Sequence, residues 1–468
     1  MTSKTKENQG SFRDPSGRIY EHDGRIFRTV NEVARSSYES ARDNGVFVDL
    51  EARRRLVSTV EVPVDNWPEG IPTAAYLLEH ERVRLISYPY EWCFGQLKAA
   101  ALHHLDLQID LLERNFVLSD ATAYNIQFIG AKPIFIDVLS VRPYVEGEFW
   151  QGHRQFCEQF LNPLLLRSLF GVAHNGWFRG NLEGIASADL ARLLSLRHNL
   201  SWNILSHVTL QAKAEAHAVS SPVSALEKAK RSKSLSRMGY QGILTQLRNW
   251  IEKLHPANQS KTIWGDYAKT NTYTNVEADV KKQAVRDFAA RVQPRTLVDL
   301  GCNTGDYSVA ALEGGAESVI GFDFDQRAVD LAYAKAVEQS LNYLPLWLDA
   351  ANPSPNQGWR QAERLGFAER VKADAMIALA FEHHLAIGKN APLPQVVDWL
   401  IQTAPTGIIE FVPKHDETVQ QMLALRDDVF ADYSEETFLQ SLEAKARVVN
   451  KQVVSSSGRT LFTYEKMQ

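Results

Sequence analysis

The sequence predicts an α/β protein in two parts: a carboxyl-terminal parallel sheet closed by an antiparallel hairpin, and an amino-terminal α+β domain. Three observations carry this expectation. Residues 296–325, TLVDLGCNTGDYSVAALEGGAESVIGFDFD, read as strand, glycine turn, helix and second strand, a single βαβ unit. Further apolar strands follow at the spacing of a doubly wound sheet, and the last two are joined by a turn sequence. Upstream, residues 97–137 read as an amphipathic helix, a loop and a short hairpin, which is a different pattern.

A chain of 468 residues exceeds one ordinary domain. Composition places the divisions at 1–212, 213–260 and 261–468. The middle segment opens on KAEAHAVSSPVSALEKAKRSKSLSR, whose basic run includes Lys228, Lys230, Arg231, Lys233 and Arg237. In it, Ile243, Leu244, Leu247, Trp250, Ile251 and Leu254 fall at helical spacing ahead of Pro256. Hydrophobic residues at 44% and charged residues at 23% are those of a soluble globular protein. A net charge of −5 argues against a nucleic-acid partner. Cys93, Cys157 and Cys302 are far apart and form no C-x-x-C pair, so neither a disulfide framework nor a zinc cluster is expected. With a polar first segment and no membrane-length apolar run, the expected location is the cytoplasm.

The glycine turn indicates a ligand. Gly301 and Gly305 let the backbone turn sharply and approach a bound group, and Asn303 tolerates positive φ. The pattern is not G-x-G-x-x-G, so no pyrophosphate cradle is expected. Asp299 is placed to accept from a ligand ammonium and Asp323, ending the second strand, to bind both ribose hydroxyls. Phe324 is placed against an adenine face and Asp349, ending a third strand at Leu344–Leu348, for the adenine amino group. Later strands are expected at Asp374–Ala380, Gly407–Val412, Arg447–Val454 and Thr460–Glu465, with Ser455–Gly458 as the hairpin turn. An amino-acid head with a nucleoside describes S-adenosylmethionine (SAM). The stretch resembles the first two motifs of class I SAM-dependent methyltransferases, which implies a Rossmann-like sheet and SAM as cofactor. In such enzymes a leading segment often folds over the cofactor, which makes Tyr273 a lid candidate.

The fourth strand leads into Phe381, Glu382, His383 and His384, at the mouth where an acceptor would sit. His384 or His383 is the expected general base, with Glu382 or Glu410 orienting it or binding the acceptor. The stretches VDLGCNTGDYS, LDAANPSPNQGW, ALAFEHHLAIG and IIEFVPKHD resemble one bacterial methyltransferase family, that of the rhizobial NoeA-type nodulation proteins. The resemblance implies a saccharide or lipo-oligosaccharide context. The readings left open are methyl transfer to an oxygen or nitrogen of a small molecule or glycan, a bifunctional kinase–methyltransferase, and a non-catalytic SAM-binding scaffold.

In the amino-terminal half, Leu102, Leu105, Ile109, Leu112 and Phe116 mark one helix face. Asp120, Asn125, two strands (Ile126–Ile129 and Pro133–Ile136) and Asp137 follow. The order resembles the catalytic and metal-binding loops of protein-kinase-like and aminoglycoside-phosphotransferase-like folds. It implies ATP and Mg²⁺, with Asp120 handling an acceptor proton and Asn125 and Asp137 holding the metal. The sequence departs from that pattern: Leu118 and Ser119 stand where a histidine is usual, and there is no glycine-rich phosphate loop or Val-Ala-x-Lys strand. Arg25 or Arg28 would substitute for the lysine. Gly17–Val30 would form an amino-lobe hairpin, and Tyr88–Glu91 a hinge after a strand at Arg82–Ser87. Phe149, Trp150, Phe156, Cys157 and Phe160 read as a packed aromatic face, and Trp177–Gly180 as an exposed loop.

Overall fold

A computed structural model describes residues 5–220, 234–257, 275–424 and 426–467. The chain forms two compact units. The first is Met1–Phe128, Pro133–Asn258 and Asn356–Leu365; the second is Ile129–Lys132, Gln259–Pro355 and Gly366–Gln468.

In the first unit, β1 (Lys6–Glu7), β2 (Ile19–His22), β3 (Arg25–Val30), β4 (Thr59–Glu61) and β5 (Tyr76–His80) make an antiparallel sheet ordered β1-β2-β3-β5-β4. Asp23 (φ 50°) and Gly24 (φ 74°) turn the β2–β3 hairpin, as a two-residue connection requires. The helix Glu32–Asp43 connects β3 towards β4 and turns Ala34, Tyr38 and Ala41 inward. The helix Phe94–Glu113 packs against the helix Arg237–Glu252, which buries Tyr240, Leu244, Leu247 and Ile251. The Gln108 amide donates to the Tyr240 hydroxyl (2.9 Å) and accepts from Leu118 N (2.9 Å), so a buried polar side chain between these helices is satisfied at both ends. Then β6 (Phe116–Leu118) pairs with β9 (Val141–Pro143), and β7 (Ile126–Ile129) with β8 (Lys132–Phe135).

Two local expectations are corrected here. Residues Arg82–Ser87 are irregular, and the strand is β5, immediately before them. Ser87 N donates to Gln127 Oε1 (2.8 Å) and Tyr88 N to Glu91 Oε2 (2.8 Å), so these donors are taken by side chains and no ladder forms. Trp177–Gly180 is not an exposed loop but lies in the helix Asn175–Gly180. Its Phe178 is fully buried against the edge of Tyr124, and the Asn175 amide donates to the carbonyls of Tyr90 (2.9 Å) and Trp92 (3.0 Å).

The second unit is a seven-stranded sheet: β10 (Leu297–Leu300), β11 (Val319–Asp323), β12 (Tyr343–Trp347), β13 (Ala375–Ala378), β14 (Thr406–Phe411), β15 (Ala446–Val453) and β16 (Thr460–Lys466). The order is β12-β11-β10-β13-β14-β16-β15, with β16 antiparallel between β14 and β15. The parallel strands are nearly continuous apolar runs because helices cover both faces. Strand order reverses between β10 and β13, the switch point at which ligands gather outside the strand carboxyl ends. Among the described residues, no helix is long and apolar enough to cross a membrane.

Candidate active site

The turn after β10 places Gly301 (φ 81°), Asn303 (φ 47°) and Gly305 (φ 82°) in the left-handed region. Gly305 is also required by space, since a Cβ there would sit 2.7 Å from the Tyr343 ring. The amides of Gly301 and Cys302 both donate to the Phe322 carbonyl (2.8 and 3.1 Å), tying the turn to β11.

Two acids end this edge. Asp323 accepts from Asn303 N at Oδ2 and from Asp325 N at Oδ1, both at 2.8 Å. Burial pushes its carboxyl up to about 6 against those hydrogen bonds. Asp299 is buried and accepts from the Ser308 hydroxyl at 2.6 Å. Burial pushes it up to about 7, with the Ser308 bond opposing and the Asp323 charge adding. Phe324 is 57% exposed beside Trp347, whose indole N–H donates to the Phe324 carbonyl (2.8 Å). Asp349, half-buried just past β12, accepts from Ala351 N at Oδ1 (3.1 Å).

This donor set fits SAM. The Asp323 carboxylate is held by the backbone N–H groups of Asn303 and Asp325, with that of Phe324 adding, at the β11 edge where a ribose diol would be bound. Asp299 keeps one oxygen beyond its Ser308 bond, as an ammonium requires. Phe324 offers an open aromatic face. Tyr273 lies outside the described residues.

Beyond β13, Ala380 takes φ 50°, and Phe381 stacks on Trp399 (centroids 6.2 Å, 26°). Phe381 also closes on the glycine turn, where a Cβ on Gly301 would lie 2.9 Å from its ring. Glu382 opens the helix Glu382–Ala386 fully buried, accepting from Val412 N at Oε1 (2.9 Å). The Tyr433 hydroxyl lies 3.0 Å from the same oxygen and 2.6 Å from the Val412 carbonyl. His383 is also fully buried, its Nδ1 3.7 Å from Glu382 Oε2. His384 is half-buried with its ring 4.2 Å from that of His383. Burial, then His383, pushes the His384 imidazole down to about 3, which makes it a weak proton acceptor.

Two ion pairs went unforeseen. Lys281 Nζ lies 2.5 Å from Glu410 Oε1; the doublet Lys281–Lys282 and the single acid within β14 were each visible, but not their pairing. Arg459 grips Asp416 through two bonds of 2.7 Å, and the Ser457 hydroxyl adds a third of 2.6 Å, fixing the loop after β14.

In the first unit, the structure brings Asp120, Asn125 and Asp137 together. The Asn125 amide lies 3.2 Å from Asp137 Oδ2 and 3.3 Å from Asp120 Oδ1. Of the two arginines, Arg28 on β3 reaches the group, pairing with Asp137 (2.7 Å) and Asp14 (2.5 Å), while Arg25 pairs with Glu79 (2.7 Å). Burial, then Asp137, pushes the Asp120 carboxyl up to about 7.

The chain is 51% identical over 461 residues to nodulation protein NoeA of Rhizobium meliloti, a match spanning 98% of this chain and 96% of that protein. The chain belongs to the NoeA family. The NoeA-family chain is also 41% identical over 59 residues to the ribosomal protein L11 methyltransferase of Colwellia psychrerythraea, 12% of this chain and 20% of that protein. No protein-family model matches it. Among solved structures, the magnesium protoporphyrin IX methyltransferase of Synechocystis PCC 6803 with bound SAH is 18% identical, covering 48% of this chain and 99% of that one at a TM-score of 0.32. The sheet order, the glycine turn and the acid ending β11 give the NoeA-family chain the layout of a class I SAM-dependent methyltransferase.

Proposed function

We propose that the chain moves a methyl group from SAM to an oxygen or nitrogen atom of a small-molecule or glycan acceptor. The observation that carries this reading is Asp323, an acid at the switch-point edge whose two oxygens are both oriented by backbone N–H groups of the neighbouring turns. In this reading Asp323 takes the ribose diol, Asp299 the ammonium, and Phe324 and Asp349 the adenine. Gly301, Asn303 and Gly305 let the backbone come close. Bound SAM supplies a methyl group on an already activated sulfonium, so the protein's part is alignment and exclusion of water. Glu382, His383 and Glu410 are enclosed and hold the acceptor-side helix in place. His384 accepts a hydrogen bond from the acceptor and orients it, without acting as a strong base. The nodulation context named for the R. meliloti relative supports a glycan-type acceptor. The net charge of −5 supports an acceptor other than nucleic acid.

The test is a thermal-shift series with SAM, S-adenosylhomocysteine and NAD, followed by transfer of labelled methyl groups to a panel of saccharides and small amines. A ligand at about 100 times its Kd adds roughly 2.7 kcal/mol. A shift with SAM that disappears in Asp323→Ala, with label in an acceptor, is the expected result. Binding without turnover on any acceptor would leave a SAM-binding scaffold. A shift with NAD alone would overturn the reading.

A second reading is favoured by one observation, the convergence of Arg28, Asp120, Asn125 and Asp137. We infer that the first unit is kinase-like and binds a magnesium nucleotide. Two carboxylates suit a hard cation, and Asn125, whose NH2 group bridges them here, would turn its oxygen to the ion; Arg28 would stand in for the missing lysine. An Mg²⁺-dependent shift with ATP, lost in Asp137→Ala, is expected; no shift would leave this unit as an acceptor platform. Phosphate transfer to a saccharide would establish the bifunctional alternative.

A further inference from the structure

A second cluster lies in the first unit, away from the Asp120–Asn125–Asp137 group in sequence. His153, Cys157 and His207 each turn a ligand atom to one point, and these atoms all lie within 4.8 Å of one another. His153 Nε2 is 2.9 Å from His207 Nδ1 and 3.7 Å from Cys157 Sγ. Cys157 and His207 are buried and His153 is half-buried. We propose that these three residues form a binding site for a divalent transition-metal ion of the zinc class, with a fourth position left for solvent.

The geometry supports this directly. Metal–nitrogen bonds of about 2.0–2.1 Å and a metal–sulfur bond of about 2.3 Å set the nitrogen–sulfur edge of a tetrahedral site near 3.6 Å. The His153–Cys157 separation of 3.7 Å matches that edge. The corresponding nitrogen–nitrogen edge is about 3.3 Å, so the two imidazoles, now 2.9 Å apart, need separate by only a few tenths of an ångström. Binding requires two proton movements. The hydrogen shared between Nε2 and Nδ1 shifts to the far nitrogen of its ring, and the Cys157 thiol loses its proton to solvent, one proton per metal.

The backbone is also adapted at both places. Helical geometry widens to a π-turn over Cys157–Leu161 and again over Leu205–Thr209, which contains His207. Single π-turns within helices concentrate at functional sites, and here the two fall on the two segments that supply ligands. The surroundings are aromatic and orienting. Trp150 meets the His153 ring edge-on (5.5 Å), and His207 stacks on Trp250 (6.3 Å). The Gln211 side chain hydrogen-bonds His153 and donates to Glu215 (2.8 Å), the kind of outer partner that fixes a ligating imidazole. Cys93 and Cys302 take no part, so the thiolate signal has a single source.

The experiment uses the full, tag-free chain. Bound metal is counted by elemental analysis, and the chelator-treated protein is then titrated with Co²⁺ and back-titrated with Zn²⁺. The expected result is one equivalent of Co²⁺ with thiolate-to-cobalt charge transfer and the intense visible bands of a tetrahedral ion, displaced by Zn²⁺. Cys157→Ser should abolish the charge-transfer band, and His207→Gln should weaken Zn²⁺ binding at least tenfold, with circular dichroism unchanged for at least one of the two. No stoichiometric binding by the parent protein, or a band that survives Cys157→Ser, would overturn the site. If Cys157→Ser fails to fold, the His207→Gln affinity decides.

Discussion

Lys281, on the helix Asn275–Val292, and Glu410, within β14, form a 2.5 Å ion pair in which neither side chain is more than 1% exposed. Burial pushes the Glu410 carboxyl up and the Lys281 ammonium down, and each partner opposes the shift of the other. Desolvating two charges costs several kcal/mol per ion, so the pair marks a position more than it adds stability. It joins the helix leading into β10 to the strand beside Glu382 and His383.

Removing one partner should therefore be worse than removing both. Lys281→Met is expected to destabilise the second unit by about 3–5 kcal/mol, and Lys281→Met with Glu410→Leu to recover most of that loss. Urea midpoints of the two variants check this. A single variant that costs under about 1 kcal/mol would show that the pair does not anchor the helix.

The Asp299 carboxyl, raised from 3.8 to about 7, gives a pH dependence of definite sign. The folded state holds that proton more tightly than the unfolded chain. The resulting stability is full below pH 3.8 and is lost as pH rises through about 7, up to about 4 kcal/mol in all. SAM binding should run the other way, because an ammonium needs the carboxylate. Affinity should rise from pH 6 to 7.5 and then level off, with proton release on binding in calorimetry at the lower pH. Asp299→Asn should bind weakly with a flatter profile.

Phe324 is more than half exposed, so Phe324→Ala should change the melting temperature little, by under about 0.5 kcal/mol equivalent. Loss of an adenine contact should nevertheless cost about 0.5–1.5 kcal/mol in SAM affinity, roughly two- to tenfold in Kd. Unchanged Kd would place the adenine elsewhere.

Ala380 holds φ at 50° directly before Phe381. Ala380→Gly should relieve about 1 kcal/mol of backbone strain and raise stability. If the strain positions Phe381 and the helix after it, turnover should fall while SAM affinity holds. A variant with lower stability would show that the Ala380 methyl packs well enough to outweigh the strain.

The second unit was legible because its chemistry is local. Gly301, Asn303, Gly305 and Asp323 lie within one βαβ unit, and Asn303 adopts the positive φ its residue type suggested. The strands fall within a residue or two of expectation because apolar runs end sharply at acids and glycines. The first unit was harder. Arg82–Ser87 had strand-like residues, but Ser87 N is held by the Gln127 side chain and the next amide, Tyr88 N, by Glu91, and the distant Gln127 contact is one no local pattern reveals. Phe178 fell in what read as an exposed loop, whereas Asn175 anchors a helix there and Phe178 is buried. Lys281 and Glu410 are far apart in sequence, and so are Cys157 and His207, so the ion pair and the cluster of metal-ligand side chains appear only once the chain is folded.

Between β12 and β13 the chain lends Asn356–Leu365 to the first unit, where Gln357 donates to the Arg179 carbonyl (2.8 Å) and Arg364 lies over the Tyr124 ring (4.2 Å). The two units are thus interleaved in the gene, and neither is encoded by an uninterrupted stretch. A protein stopped at residue 260 would lack a ten-residue strip of its own surface and expose the Tyr124 face. Shuffling this sheet onto another partner would strip the same piece from the half left behind.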